Sequence, residues 1–206
     1  MKSRRYSRDE WVAADGIPAL KPILEGWIAV QREYTRQMGG DDHSWNHTER
    51  AATGFLAAAA WKCGGVALEE WHTDKGPRSD SRNGRCDLYI YHRKHSFHIE
   101  AKHMWSSATG KLDRERGRIE TKLTQAVTDA KAQQCPRSEK LGVLFLAPYY
   151  PVGKQREMER DLGFWLEVVC SIPHCAIGWL FLDRKTLKPH RSQNIHPGIV
   201  LIARPV

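Results

Sequence analysis

Apolar residues recur along this chain with two periods, one helical and one extended. Leu20, Leu24, Trp27, Ile28 and Tyr34 keep helical spacing within residues 17–38, and Gly39-Gly40 end that segment. Residues 48–62 are Ala-rich and predict a second helix, closed by Gly64-Gly65. Ile119, Leu123, Ala126, Val127 and Ala130 mark a third helix that stops before Pro136. Met158, Leu162, Trp165, Leu166 and Val169 form a fourth stripe. Extended patterns fall at residues 66–71, around Asp87, around Glu100, and at 141–147, 176–182 and 199–203. The unbroken apolar run 141–147 predicts a central strand buried on both faces. Between these segments, residues 74–84 read as a basic loop with Lys75, Arg78 and Arg82, and residues 106–117 as a polar connection. Helices interleaved with strands predict an α/β fold, a mixed sheet with helices on both faces.

One stretch departs from plain core-forming alternation. Phe97, Ile99 and Ala101 give one strand an apolar face, so Glu100 and Lys102 project together from the other. Asp87 stands 13 positions before Glu100, a separation that suits a hairpin setting the two strands side by side. Acid-x-Lys is a weak signal by itself, expected about 1.5 times by chance in such a composition. It occurs four times, at Glu100-Lys102, Glu120-Lys122, Asp129-Lys131 and Asp183-Lys185. Glu120 and Asp129 belong to a helical pattern whose plain reading is a solvated face. Asp183 has no acid-bearing strand before it. Glu100 alone combines strand alternation, an upstream strand Asp and flanking basic residues.

Charge narrows the partners. A net charge of +8 and a pI near 9.4 point to a polyanion, with nucleic acid, DNA above all, the first candidate. An apolar share of 41% supports a real core, and 206 residues suit a single domain. Within it, residues 1–44 read as a helical extension, 45–147 as the core and 150–206 as a helix-strand extension. No run approaches the ~18 apolar residues of a membrane span, and no apolar stretch of signal-peptide length follows the basic residues 1–10. Five scattered cysteines without Cys-x-x-Cys predict reduced thiols and a cytoplasmic protein rather than a zinc module. His43-x3-His47 and His95-x2-His98 have no second pair at zinc spacing and read as surface or loop histidines. Trp165 and Trp179 belong to buried stripes. Tyr89 and Tyr91 share the Asp87 face and read as packing residues.

The order helix, three strands, helix, strand, with Asp87 on the second strand and Glu100-Ala101-Lys102 on the third, resembles the PD-(D/E)XK nuclease superfamily, the restriction-endonuclease-like fold. The resemblance covers roughly residues 45–147. It implies that Asp87 and Glu100 bind Mg²⁺ (Mn²⁺ as substitute), that the Ala101 carbonyl completes the metal shell, and that Lys102 assists the attacking water. The family often has Pro before the Asp; here it is Cys86. Many members carry a further metal-facing Glu on the first core helix, which Glu49 matches. The competing reading makes Asn46 and Glu49 a capping box. Glu69 and Glu70 are fallback acids whose plainer reading is ordinary strand-edge charge. Exonuclease-like branches place a Gln and, four residues on, a Tyr on the following helix; Gln125 followed by Asp129 matches half of that signature.

The chemistry expected is phosphodiester hydrolysis, with acids holding a cation that neutralises the phosphate and a lysine steadying the hydroxide. Arg85, Lys111, Arg114, Arg116 and Arg118 are candidates to hold flanking phosphates. Two other readings compete: a catalytically silent nucleic-acid-binding module of the same fold, and an unrelated α/β enzyme. Against the latter, the chain lacks a Gly-rich phosphate loop, a Gly-x-Ser-x-Gly elbow and a dinucleotide fingerprint. Cutting both strands of a duplex at one place calls for a homodimer or two sequential nicks, and the sequence leaves both open.

Overall fold

A computed structural model describes residues 9–76, 82–135, 137–154, 157–183, 187–189 and 193–206. The basic residues 1–8, Arg78 and Lys185 lie outside them. Four helices and eight strands are described: β1 Glu10–Ala13, α1 Lys21–Gln37, α2 Glu49–Lys62, β2 Val66–Lys75, β3 Arg82–His92, β4 His95–Ser107, α3 Leu112–Lys131, β5 Glu139–Pro151, α4 Met158–Ser171, β6 Ala176–Phe181, β7 Asn194–Ile195 and β8 Gly198–Pro205. The strands form one mixed sheet in the order β1-β6-β8-β5-β4-β3-β2, with the short β7 pairing with β5 off this path. Among the described pairs β4–β5 alone is parallel, and α3 is the crossover that joins them. The expected α/β architecture with helices on both faces is present.

Strand β5 shows why two layers form. Leu141, Val143 and Phe145 point to a core shared with Ile23, Leu24 and Trp27 of α1 and Leu56 of α2. Leu144 and Leu146 point to the other core, with Ile119 and Leu123 of α3 and Trp165 and Leu166 of α4. A strand buried on both faces has no polar position to spare, which is why the 141–147 run is unbroken. Gly142 allows α3 to approach: a Cβ there would lie 2.8 Å from the Ala126 carbonyl carbon. Residues 150–206 extend the sheet through β6 and β8, and the N-terminal extension returns to it as β1 on the far side of β6. None of the five cysteines forms a disulfide. Among the described residues no helix is long and apolar enough to cross a membrane.

Three features differ from the sequence reading. Strand β2 continues through Lys75, where a loop was expected from residue 74, and is held by pairing with β3. The polar connection at 106–117 is instead the end of β4 followed by helix from Leu112. Buried Glu115 secures that start, accepting from the Ser106 hydroxyl at 2.8 Å and the Ser107 N–H at 3.2 Å. His43 and His98 are buried at 6% exposure, not surface residues, and His43 caps a short turn rather than sharing a helix face with His47.

Candidate active site at the parting of two strands

Strands β3 and β4 form a tight hairpin turned by Arg93-Lys94, both with positive φ (48° and 70°), as a type I′ turn requires. Their ladder runs from His92↔His95 to Leu88↔Ile99 and stops there. Beyond it β4 keeps β5 as a neighbour as far as Ser107, while β3 keeps β2. The edge of β4 that has lost β3 presents backbone donors that need partners. Two carboxylates take them. Asp87 Oδ2 accepts from the Ala101 N–H at 2.7 Å, and Glu49 Oε2 accepts from the His103 N–H at 3.0 Å.

Glu49 opens α2, where the helix dipole favours a negative charge. The N-cap is Thr48, and Asn46 belongs to the preceding short turn, so the capping-box alternative does not hold. Glu49, Arg50, Thr53, Glu69, Glu70 and Asp87 line a cavity of about 60 Å³. The fallback acids of β2 thus sit beside the expected ones. Glu70 falls between the pairs Glu69↔Leu88 and Trp71↔Cys86, hence opposite Asp87, and its φ of 54° is left-handed. That conformation is uncommon for a residue with a Cβ and breaks the alternation of β2. Leu68 pairs with Tyr89, yet Trp71, three residues on, stacks on the same Tyr89 ring at 5.2 Å. After this shift Lys75 faces the site.

Lys75 Nζ donates to Glu100 Oε1 at 2.6 Å, and Gln133 Nε2 donates to the same oxygen at 2.5 Å. Gln133 arrives because the end of α3 is tied to β2 by Gly76 N–H to Ala132 O and Gln134 N–H to Asp74 O, both 2.8 Å. Glu100 is 3% exposed. Burial pushes its carboxyl above the usual range; Lys75 and Gln133 oppose the rise, and the charge of Asp87 adds to it. Lys102 lies 3.0 Å from Asp129 of α3. Burial alone would lower its pKa, but the Asp129 hydrogen bond and the charges of Asp129, Glu49 and Asp87 outweigh that and raise it. Lys102 therefore remains an ammonium across the neutral range. Burial holds the His103 imidazole at about 4, neutral at ordinary pH.

Asp87, Glu100, Lys102 and Glu49 are thus brought together, with the Ala101 backbone at their centre. Gln125 is not among them: it is exposed on α3 and accepts from Lys122 at 3.3 Å. Asp129, one turn on and read in the sequence as solvated, supplies that helix's contact to Lys102. Lys75 and Gln133 are further members that the sequence reading did not assign; they stand 25 and 33 positions from Glu100, and no local pattern links them to it. Of the basic candidates, Arg114 and Arg118 line an open surface groove with Met104, two residues beyond Lys102. Lys111 precedes the first residue of α3. Arg116 pairs with Glu120 at 3.1 Å, Arg118 with Glu115 at 2.7 Å, and Arg85 lies 3.5 Å from Glu70. Tyr91 is 44% exposed, and Tyr89 packs on Trp71 and His98. Among the described residues no three His, Cys, Asp or Glu side chains meet as a ready metal cage. No protein-family model, curated protein or solved structure matches the chain.

Proposed function

We propose that this protein is a Mg²⁺-dependent nuclease that hydrolyses phosphodiester bonds, in DNA first of all, on a restriction-endonuclease-like sheet. The observation that carries the reading is the gathering of Asp87, Glu49, Glu100 and Lys102 from three elements at the point where β3 parts from β4. A purely structural site would not need four buried or half-buried charges around one backbone gap, since each costs desolvation.

The donor set suits a hard cation. Asp87 and Glu49 each commit one oxygen to a backbone N–H, and Glu100 commits one to Lys75 and Gln133, which leaves a second oxygen on each. Mg²⁺ takes oxygen ligands and retains several waters, so one or two of these carboxylates and the Ala101 carbonyl would hold it. When bound, the ion supplies charge neutralisation at the phosphodiester and a water of lowered pKa. The Lys102 ammonium, oriented by Asp129, stabilises negative charge growing on the phosphate oxygens and the attacking oxygen. Lys102 acts here as a cation and hydrogen-bond donor toward the attacking water and the phosphate. Arg114 and Arg118, beyond Lys102 along β4, supply phosphate contacts that position the strand without reading its sequence.

The test is incubation of the full chain with labelled duplex DNA, single-stranded DNA and RNA in Mg²⁺, Mn²⁺ or EDTA. The reading predicts cleavage of at least one substrate with either metal and none in EDTA. Binding without cleavage in either metal would replace it with the silent binding-module reading.

A further inference from the structure

A second groove adjoins the site on the side away from Arg114. It has a volume of about 430 Å³, within the range of small-ligand sites, and its walls include Trp71, Thr73, His98, Cys135 and Arg137. His98 and Glu100 project from the same face of β4, two residues and so about 7 Å apart. Along that face β4 carries His98 in this groove, then Glu100, then Lys102, then Met104 in the Arg114–Arg118 groove.

Two features of the groove ask for an occupant. The first is aromatic. Trp71 lies on Tyr89 with ring centroids 5.2 Å apart and planes 27° apart, and Tyr89 meets His98 edge-on at 5.0 Å. Trp71 remains 39% exposed although it is large and apolar. The second is polar. His98 lines the groove although it is only 6% exposed. At the rim stands Arg137, which among the described residues pairs with no carboxylate.

We propose that this groove holds an unpaired nucleobase of the strand whose phosphodiester lies at Glu100 and Lys102, so that the substrate is single-stranded or locally opened nucleic acid. The choice of ligand rests on the nuclease reading of the adjoining site. Trp71 supplies a stacking surface, which accepts any base because every base has a π face. His98 packs beside the base, and Arg137 meets the neighbouring phosphate. A base inside an intact duplex is already stacked on both sides and cannot enter without being flipped out.

Binding is measured in EDTA by fluorescence anisotropy with a labelled oligothymidylate, a labelled oligouridylate and a labelled blunt duplex, using wild type, Trp71→Ala, Trp71→Phe and Arg137→Ala. Trp71→Ala is expected to weaken binding of an unpaired strand about tenfold or more, while Trp71→Phe retains most of it. Duplex binding should change less than twofold in both. Arg137→Ala should weaken the unpaired strand severalfold, and it tests the groove independently should Trp71→Ala fold poorly. Whichever of the two unpaired oligonucleotides binds more tightly identifies the strand, oligothymidylate or oligouridylate, that the groove prefers. Equal affinities of wild type and both alanine variants for the unpaired strands, or an equal loss on strands and duplex, overturn the proposal. Selective loss on strands by a chain that never cuts would keep the groove and remove the nuclease. Mg²⁺-dependent cutting with no effect of either alanine substitution would do the reverse.

Discussion

The carboxylate of Asp87 takes the backbone N–H of Ala101 at 2.7 Å, in the place where a strand neighbour would otherwise have supplied the acceptor. Structure and proposed chemistry meet in that bond. An aspartate carboxylate there both terminates the ladder and presents a second oxygen at the gap. Asparagine can do the first, because its carbonyl oxygen accepts the same N–H. Asp87→Asn is therefore expected to keep Tm within a few degrees and lose about 100-fold or more of hydrolysis. Thermal unfolding followed by single-turnover cleavage checks both parts.

Glu100 separates function from stability in a different way. Burial raises its pKa, and an acid raised in the folded state costs stability once pH exceeds its unfolded value. Its stabilising protonation is present below that value and is lost as pH rises through the folded one. Glu100→Gln removes the charge while leaving an oxygen for Lys75 and Gln133. Tm near neutral pH should hold or rise, and cleavage should fall about 100-fold or more. A large drop in Tm would instead make Glu100 a structural ion-pair anchor.

Asp129 tunes Lys102. Its hydrogen bond and charge help to raise the ammonium's pKa, so Asp129→Asn lowers it. The alkaline limb of the pH–rate profile should then move to lower pH, with activity near neutrality reduced by less than in any Lys102 variant. A lysine raised in the folded state contributes stability in full below its unfolded value and loses it only as pH climbs through the folded one. Stability between pH 6 and 8 should therefore show no slope from Lys102. An alkaline limb identical in wild type and Asp129→Asn would place the titrating group elsewhere.

Gly142 faces Glu100 across the parallel ladder and lies against the backbone of α3. A methyl there meets main-chain atoms of Ala126 and Val127 that cannot turn aside, so Gly142→Ala should cost about 3 kcal/mol, on the order of 10 °C in Tm. Gly84→Ala is the contrasting case. Its Cβ would fall 2.7 Å from Cγ of Lys75, a flexible side chain, so the expected result is a small stability loss with Lys75 displaced from Glu100. Chemical denaturation of both variants distinguishes the two effects.

The elements that the sequence revealed best are those whose own residues decide them. Helix α2 was expected over 48–62 and spans Glu49–Lys62, because its alanines favour helix and Gly64 at φ 79° ends it. Strand β4 was legible through the alternation of Phe97, Ile99 and Ala101. Strand β1 was not: Glu-Trp-Val-Ala is too short to carry a period and becomes a strand only by pairing with β6. The polar end of β2 is a strand for the same reason, which hid Lys75 from view. At the site, Asp87, Glu100 and Lys102 were legible from local spacing, and Glu49 only through the family resemblance. Lys75 joins them from β2 and Asp129 and Gln133 from α3 and its end, through contacts distant in sequence, and the left-handed Glu70 that redirects β2 leaves no mark in a residue type that normally avoids that conformation.

The most direct test of the account compares wild type with Lys102→Ala in single-turnover cleavage of the preferred substrate in Mg²⁺, with DNA affinity and Tm measured on the same preparations. The account predicts that wild type cuts, that EDTA stops it, and that the variant binds nearly as well and stays folded while its cleavage falls about 100-fold or more. Undiminished cutting by Lys102→Ala would contradict it.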